Sequence, residues 1–119
     1  MNATRKPPVA GIGFGQQGYW CNRHFTTLEL AQSAYDRMAA ELRNEIVPSG
    51  TGGRLCWRHG SIETPIEPPP GSTLIRGARF RGLLKSGKPG KTVHTIYLYR
   101  IDDRTAAKFM ESPFYCPEA

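Results

Sequence analysis

The sequence lacks long apolar runs and contains few cysteines. No stretch of about 18 consecutive apolar residues occurs in it, so we expect no membrane-spanning helix and no membrane partner. The N-terminal residues are charged and no apolar segment follows them, unlike a secretory signal, so we expect a cytoplasmic protein. Three cysteines in that compartment are too few for a disulfide framework and are better candidates for free thiols or metal ligands.

Neither disorder nor several domains fits the composition. A length of 119 residues is typical of one domain, and 39% hydrophobic with 22% charged residues is close to the average of globular proteins. The 13 glycines and 10 prolines predict many turns. We predict a flexible arm over residues 1–8, because Pro7 and Pro8 favour an extended backbone, and a single α+β domain over residues 9–119.

Negative charge is scarce in one third of the chain. Residues 73–108 contain nine Lys and Arg but only two Asp, a balance of +7, whereas the whole chain carries +6. The remainder is therefore close to neutral. A charge of one sign that is concentrated in this way is typical of a surface that meets a polyanion.

Hydrophobic periodicity predicts one long helix and several short strands. Apolar residues recur at helical spacing over about 28–46, and this stripe should face a sheet. Thr26 and Glu29 fit a capping box at the start of that helix. The predicted fold is α+β, an antiparallel sheet of short strands packed on the long helix, with a basic β-hairpin over about 73–101. The stripe consists of Ala31, Tyr35, Met38, Leu42 and Ile46; strands are predicted within 9–25 and over 54–59, 73–84 and 92–101, and a short C-terminal helix over 104–110.

The predicted hairpin carries most of the positive charge. A two-stranded ribbon can enter a major groove, and Arg is well shaped for two-point contact with guanine edges or phosphate. The loop over 85–91 adds three lysines and two glycines, which let the backbone approach a phosphate closely. If most of these cations contact phosphates, the logarithm of the binding constant should fall with the logarithm of the salt concentration, with a slope of roughly −4 to −6. We call this quantity the salt slope. The expected contacts with nucleic acid, mainly with phosphates, are Arg76, Arg79, Arg81, Lys85, Lys88, Lys91 and Arg100.

Two other interpretations of this charge stay open at the level of sequence. Lysines on exposed strands also prevent edge-to-edge pairing of sheets, and a solvated hairpin without a partner satisfies the same pattern. An acidic protein surface attracts the same cations as a nucleic acid does. Charge alone does not distinguish these partners.

Two segments share the pattern Cys-x-Arg-His and suggest a structural zinc site. A pair of Cys and a pair of His matches the ligand set of such sites, and a two-residue gap suits a tight knuckle. Residues i and i+3 of a regular strand point to opposite faces, so each pair converges only where the backbone turns. The alternatives are small buried cysteines with surface histidines, or thiols in redox or nucleophilic roles. The candidate metal ligands are Cys21, His24, Cys56 and His59.

Few residues suggest catalysis. The glycine-rich run over 11–15 lacks the preceding strand and the following helix of a phosphate-binding loop. Asp102 and Asp103 are more simply explained as caps of the last helix than as metal ligands for phosphodiester cleavage. We therefore predict a protein that is not an enzyme.

The run Phe-Thr-Thr-Leu-Glu-Leu-Ala-Gln-Ser-Ala-Tyr-Asp over 25–36, continued to residue 42, resembles the helix of plant ethylene-response-factor domains and of phage integrase arm-binding domains. The resemblance implies DNA binding through a three-stranded sheet in front of that helix. In those families the reading sheet precedes the helix, whereas here the basic strands follow it. No contact residue is carried over from this resemblance.

The charge pattern and the resemblance together predict a small nucleic-acid-binding accessory protein, most simply of DNA, from a phage or another mobile element. The alternative is a small inhibitor or adaptor of the anti-CRISPR or anti-restriction kind, whose basic face covers an acidic protein surface of a nuclease complex.

Overall fold

The computed structural model describes residues 5–16, 19–46, 55, 57–66 and 73–119. Within them, five strands form one antiparallel sheet in the order β2-β1-β5-β4-β3, accompanied by two helices. This confirms the predicted α+β class and the antiparallel sheet. The elements are β1 (Ala10–Gln16), β2 (Tyr19–Phe25), α1 (Leu28–Arg43), β3 (Ser61–Pro65), β4 (Thr73–Leu83), β5 (Pro89–Arg100) and α2 (Asp103–Met110).

Alternate residues of the central strands form a buried face, which we call the core face. The register sets Ile12 opposite Leu98, and Ile96 opposite Ala78, so these side chains lie on the same side of the sheet. Burial of a large apolar side chain contributes about 1.5–3 kcal/mol, so this cluster supplies much of the stability. The same hydrophobic cluster contains Phe14, Phe80, Ala31, Tyr35, Met38 and Leu42, of which the last four belong to α1.

Helix α1 begins at Leu28, as the sequence predicts, and ends three residues earlier than predicted. The predicted capping box is wrong, because the N-cap is Thr27, whose Oγ1 accepts a hydrogen bond from the Leu30 N–H at 3.2 Å. At the other end Glu45 has φ 62°, a left-handed conformation that turns the chain out of the helix. Ile46 donates its N–H to the Glu41 carbonyl at 2.8 Å and is 41% exposed, so it does not continue the apolar stripe.

The predicted strand over 54–59 is wrong in its described part, and the strand lies at Ser61–Pro65 instead. Trp57 is 6% exposed in the core, and the chain turns at Gly60, which has φ +93°. The Gly60 carbonyl then accepts the N–H of Leu83 at 2.9 Å, which ties this turn to β4. Pro65 closes β3 at the edge of the sheet, where its missing donor costs no ladder bond. The rest of the predicted proline linker, over 67–70, lies outside the described residues.

Strands β4 and β5 pair as a hairpin, and its second strand begins at Pro89, three residues before the predicted start. The turn is closed by hydrogen bonds from the Leu84 N–H to the Lys88 carbonyl at 2.8 Å and from the Gly87 N–H to the Leu84 carbonyl at 2.9 Å. A register shift between Leu74 and Arg76 sets Leu74 opposite Tyr99. Leu74 therefore does not share the face of Ala78, as strict alternation along β4 would require.

Helix α2 begins one residue before the predicted position, and Arg5 contacts the end of this helix and the segment that follows it. Asp102 caps it, as predicted, with its carboxylate accepting the Thr105 N–H at 2.7 Å, and this bond lowers the pKa of Asp102. The described part of the predicted arm begins with Arg5, which donates to the carbonyls of Ser112 and Tyr115 at 2.9 and 2.7 Å. In the described chain, neither helix is long and apolar enough to cross a membrane.

Buried polar groups occur on the core face at His94 and Trp57. The His94 ring lies 5.9 Å from the ring of Phe14 and 5.2 Å from that of Trp57, measured between centroids. Burial lowers the pKa of His94, so the neutral imidazole is favoured. Its Nδ1 and the Nε1 of Trp57 have no hydrogen-bond partner within the described chain.

Candidate nucleic-acid interface

The strand residues that alternate with the core face form the opposite side of the sheet, which we call the outer face. Apart from the buried glycines of β1, its residues are exposed or half-buried, and it combines tyrosines with arginines on neighbouring strands. The register assigns to it Gly11 and Gly13 of β1, Asn22 and His24 of β2, Ile62 and Thr64 of β3, Arg79 and Arg81 of β4, and Thr95, Tyr97 and Tyr99 of β5.

Two tyrosine rings of β5 lie across the glycines of β1. A Cβ atom on Gly11 would be 2.5 Å from Cζ and Oη of Tyr99, and one on Gly13 would collide in the same way with the Tyr97 ring. Only glycine leaves room for rings in this position, so the rings lie over β1 instead of standing up from the sheet. Their centroids are 5.6 Å apart with an angle of 43° between the planes. We call this pair the tyrosine platform.

The platform carries no charge at neutral pH. Burial, followed by the neighbouring hydroxyls of Tyr97 and Tyr115, raises the pKa of Tyr99 to about 12. Burial also raises the pKa of Tyr97. The Tyr99 hydroxyl donates to Oδ1 of Asn22 at 3.5 Å, the long limit of a hydrogen bond. Neutral rings do not repel a phosphate backbone that passes beside them.

Two of the predicted contact residues, Arg79 and Arg81, lie on the same outer face as the platform. Arg79 is opposite Thr95 of β5, and its side chain is exposed. Arg81 is half-buried, and its Nη1 donates to the Gly90 carbonyl at 2.8 Å, which fixes the guanidinium at the end of the hairpin. A guanidinium has five donors, so Arg81 keeps further N–H groups for an anion.

The other predicted contact residues lie elsewhere. Arg76 is on the core side of β4, where its Nη1 donates to Asp36 at 2.5 Å and its guanidinium stacks 4.6 Å from the centre of the Tyr35 ring. Arg100 is exposed and lies opposite Ala10, at the far end of β5. The structure therefore does not bring all seven predicted cations together. The three lysines of the hairpin end, Lys85, Lys88 and Lys91, are exposed.

The described candidates for zinc ligands lie apart. Cys21 is opposite Phe14 and His24 is opposite Gly11, so these two side chains point to opposite faces of β2. Nδ1 of His24 and the Tyr115 hydroxyl form a 2.8 Å hydrogen bond. The centroid of the His24 ring lies 4.5 Å from that of the Phe109 ring. Burial lowers the pKa of His24.

His59 lies at the other side of the sheet, beside β3 and β4. Two strands, β1 and β5, separate β2 from β4, a distance of roughly 14 Å at ordinary strand spacing. Cys56 is outside the described residues, and no cluster of three or more His, Cys, Asp or Glu suited to a metal occurs among those described. The zinc site stays a prediction, and one equivalent of zinc in protein purified without a chelator would support it.

Reasoning from sequence missed the tyrosine platform, although a signal for it exists. Glycines at 11, 13 and 15 and tyrosines at 97 and 99 both repeat with the period of a strand. Glycine at alternate positions leaves one face of a strand without side chains, and a neighbouring strand must cover it. Comparison of the chain with family models, with curated proteins and with solved structures finds no match.

Proposed function

We propose that this chain is a small, non-enzymatic nucleic-acid-binding accessory protein that holds a single strand on its outer face. One observation carries the proposal: Tyr97 and Tyr99 lie side by side over glycine backbone, on the same face of the sheet as Arg79 and Arg81 of the adjacent strand. In this proposal α1 packs on the core face as a support, and the basic hairpin 73–101 supplies the cations.

Aromatic rings that lie along a sheet are suited to stacking with unpaired bases. Each base stacked on an aromatic side chain contributes about 1–3 kcal/mol, and every base offers a flat face for it. Two adjacent rings therefore favour a single strand, because the faces of paired bases are hidden inside a duplex. DNA and RNA satisfy this chemistry equally, and DNA is the form predicted from the sequence.

The arginines are suited to the phosphates of the same strand. Arg79 and Arg81 are on β4, two strands and thus about 10 Å from β1 at ordinary strand spacing. A backbone that follows β4 would direct its bases across β5 toward the rings that lie over β1. Arg76 is paired with Asp36 and does not contribute. We therefore expect a salt slope of about −2 to −4, shallower than seven free cations would give.

The shape of the hairpin also favours a single strand over a major groove. A ribbon that enters a groove needs both long edges free. Here β5 pairs with β1 over residues 94–100, and β4 pairs with β3 over 78–82. The hairpin is thus held inside a wider sheet for much of its length, and the flat outer face is the larger surface for binding.

The test is binding of a labelled oligothymidylate of about 12 nucleotides, and of a duplex of the same length, measured by fluorescence anisotropy at about 50 mM salt. The variant Tyr97→Leu with Tyr99→Leu keeps an apolar cover over β1 but removes the flat rings. Its affinity should fall by about tenfold or more. The matched control is Phe114→Leu, which removes an aromatic ring that is 93% exposed in the turn after α2.

Two results would contradict the proposal. One is absence of oligothymidylate binding by the wild-type protein at low salt, and capture of an acidic nuclease component would then favour the inhibitor or adaptor. The other is equal loss of affinity in the tyrosine variant and in the Phe114 control, since the effect would then not come from the platform.

A further inference from the structure

A second cationic feature lies at the turn of the hairpin, away from the tyrosine platform. A cleft of about 420 Å³ opens there between the turn over 57–60 and the adjoining ends of β4 and β5. The residues that line it include Gly82 and Trp57, which pack on each other, and the basic residues Arg58, His59, Lys85 and Lys91. The segment that the sequence singled out for its Cys-x-Arg-His pattern thus meets the hairpin lysines.

The floor of the cleft is built from packed residues. A Cβ atom on Gly82 would be 2.8 Å from Cε3 of the Trp57 ring, so the ring lies directly on the strand. The Leu83 N–H donates to the Gly60 carbonyl at 2.9 Å, and Arg81 donates to the Gly90 carbonyl at 2.8 Å. These hydrogen bonds join both walls of the cleft to the sheet. The cleft is therefore formed before a ligand binds.

The cations of the cleft are not balanced by the protein. None of the described residues that line it is acidic, and the three ion pairs of the described chain involve Arg23, Arg43 and Arg76 instead. Arg58, Lys85 and Lys91 are all exposed at its rim. Like charges that converge on one concave site repel each other, and a bound anion removes that repulsion.

We infer that this cleft binds a phosphate group carried by a ligand of nucleotide size. Its volume lies in the range of about 300–1,000 Å³ that small-molecule sites occupy. Arg58 can contact two phosphate oxygens at once, and the lysines supply point charges. The inference does not depend on the outer face, because Gly82 and Trp57 belong to the core side of the sheet.

The experiment is a titration of the isotope-labelled full chain with inorganic phosphate, followed by nuclear magnetic resonance at constant ionic strength in chloride. Saturable shifts are expected at the amides of Gly82, Gly90 and His59. The exposed charges are then removed in Lys85→Gln with Lys91→Gln, and separately in Arg58→Gln. The double variant should bind about tenfold more weakly or worse. Arg104→Gln with Lys108→Gln, on α2, is the matched control and should titrate as the wild type does.

Further arms distinguish the sources of the phosphate. Adenosine monophosphate should bind more tightly than inorganic phosphate, while adenosine should leave the cleft amides unchanged. A 5′-phosphorylated oligonucleotide that shifts these amides, where its unphosphorylated form does not, assigns the site to a strand end. Equal affinity for phosphate and for the nucleotide would overturn the assigned ligand size.

The inference as a whole fails if phosphate moves the cleft amides no more than chloride does, or if the cleft variants and the α2 control bind it equally. Its failure is distinguishable from that of the proposed function. The Tyr97→Leu with Tyr99→Leu protein should still bind phosphate in the cleft, and Arg58→Gln, which removes a cleft cation outside the hairpin, should still bind oligothymidylate.

Discussion

The two faces of the sheet are built from the same strands, but their chemistry differs. In β5, His94, Ile96 and Leu98 are buried, whereas the residues between them, Tyr97 and its neighbours, are half-buried. The buried set is held by packing that tolerates no gap, while the outer set lies at the surface of the sheet. Because side chains alternate along a strand, one segment supplies stability on one side and a candidate binding surface on the other. Substitutions in adjacent residues should therefore have separate effects.

The largest expected difference is between Leu98 and Tyr99. Leu98 is 0% exposed, so Leu98→Ala leaves a cavity and should lower the free energy of unfolding by about 3 kcal/mol. Tyr99→Leu, one residue along, should change it by less than about 1 kcal/mol. Denaturant unfolding followed by circular dichroism measures both. Similar losses in the two proteins would show that the outer face is part of the structural core.

The second expected effect is electrostatic and confined to the outer face. Arg79→Gln with Arg81→Gln should weaken oligothymidylate binding by about tenfold and make the salt slope less negative by about one to two. Arg76→Gln is the matched control, because Arg76 lies on the core side in an ion pair with Asp36. Anisotropy titrations at several salt concentrations give both quantities. If removal of Arg76 has the larger effect, the nucleic acid does not lie on the outer face.

A smaller effect is expected from the glycine beneath the platform. Gly11→Ala would set a methyl group against the end of the Tyr99 ring, and the ring must move away from β1. We expect affinity for oligothymidylate to fall by about threefold, since the ring is displaced but not lost. In a protein that already carries Tyr99→Leu, Gly11→Ala should cause a much smaller loss of affinity. The difference between the two losses measures the coupling between Gly11 and Tyr99. Equal effects in both backgrounds would mean that Gly11 does not act through the ring.

The smallest expected effect is a pH dependence that belongs to the core face. Burial lowers the pKa of His94 in the folded state, so the unfolded chain binds more protons as the pH falls below about 6.5. Stability is therefore fully present above that pH and declines on acidification. His24, whose pKa is also lowered by burial, adds to the same trend. His94→Leu should flatten the decline of Tm between about pH 7 and pH 5, and an unchanged profile would contradict the assignment.

Elements that follow from local pattern were predictable from the sequence. The apolar period of α1, the two short strands before it and the carboxylate cap of α2 each depend on residues that are close together in the chain. The end of α1 was missed because Glu45 adopts a left-handed conformation that is usual for glycine. The strand over 54–59 was missed because Trp57 is drawn into the core, which tertiary packing decides.

The candidate site was predictable only in part, because the residues that form it are far apart in the sequence. Arg79 and Arg81 were identified from charge. The contact between Gly11 and Tyr99 depends on β1 lying beside β5, and the chain between these two strands contains four other elements. The alternating glycines and tyrosines are a local signal for two strands, but strand order is a property of the whole fold, so the sequence does not show that these strands meet. The meeting of Arg58 with the hairpin lysines has no local signature.

The most direct test of the stacking claim observes the rings themselves. In protein with labelled tyrosines, oligothymidylate should shift the ring signals of Tyr97 and Tyr99 and should give nuclear Overhauser contacts between those rings and thymine protons. The ring of Tyr35, which is buried behind the sheet, should not respond. Binding that shifts only the hairpin turn over 84–88, with both outer-face rings unchanged, would contradict stacking on the outer face.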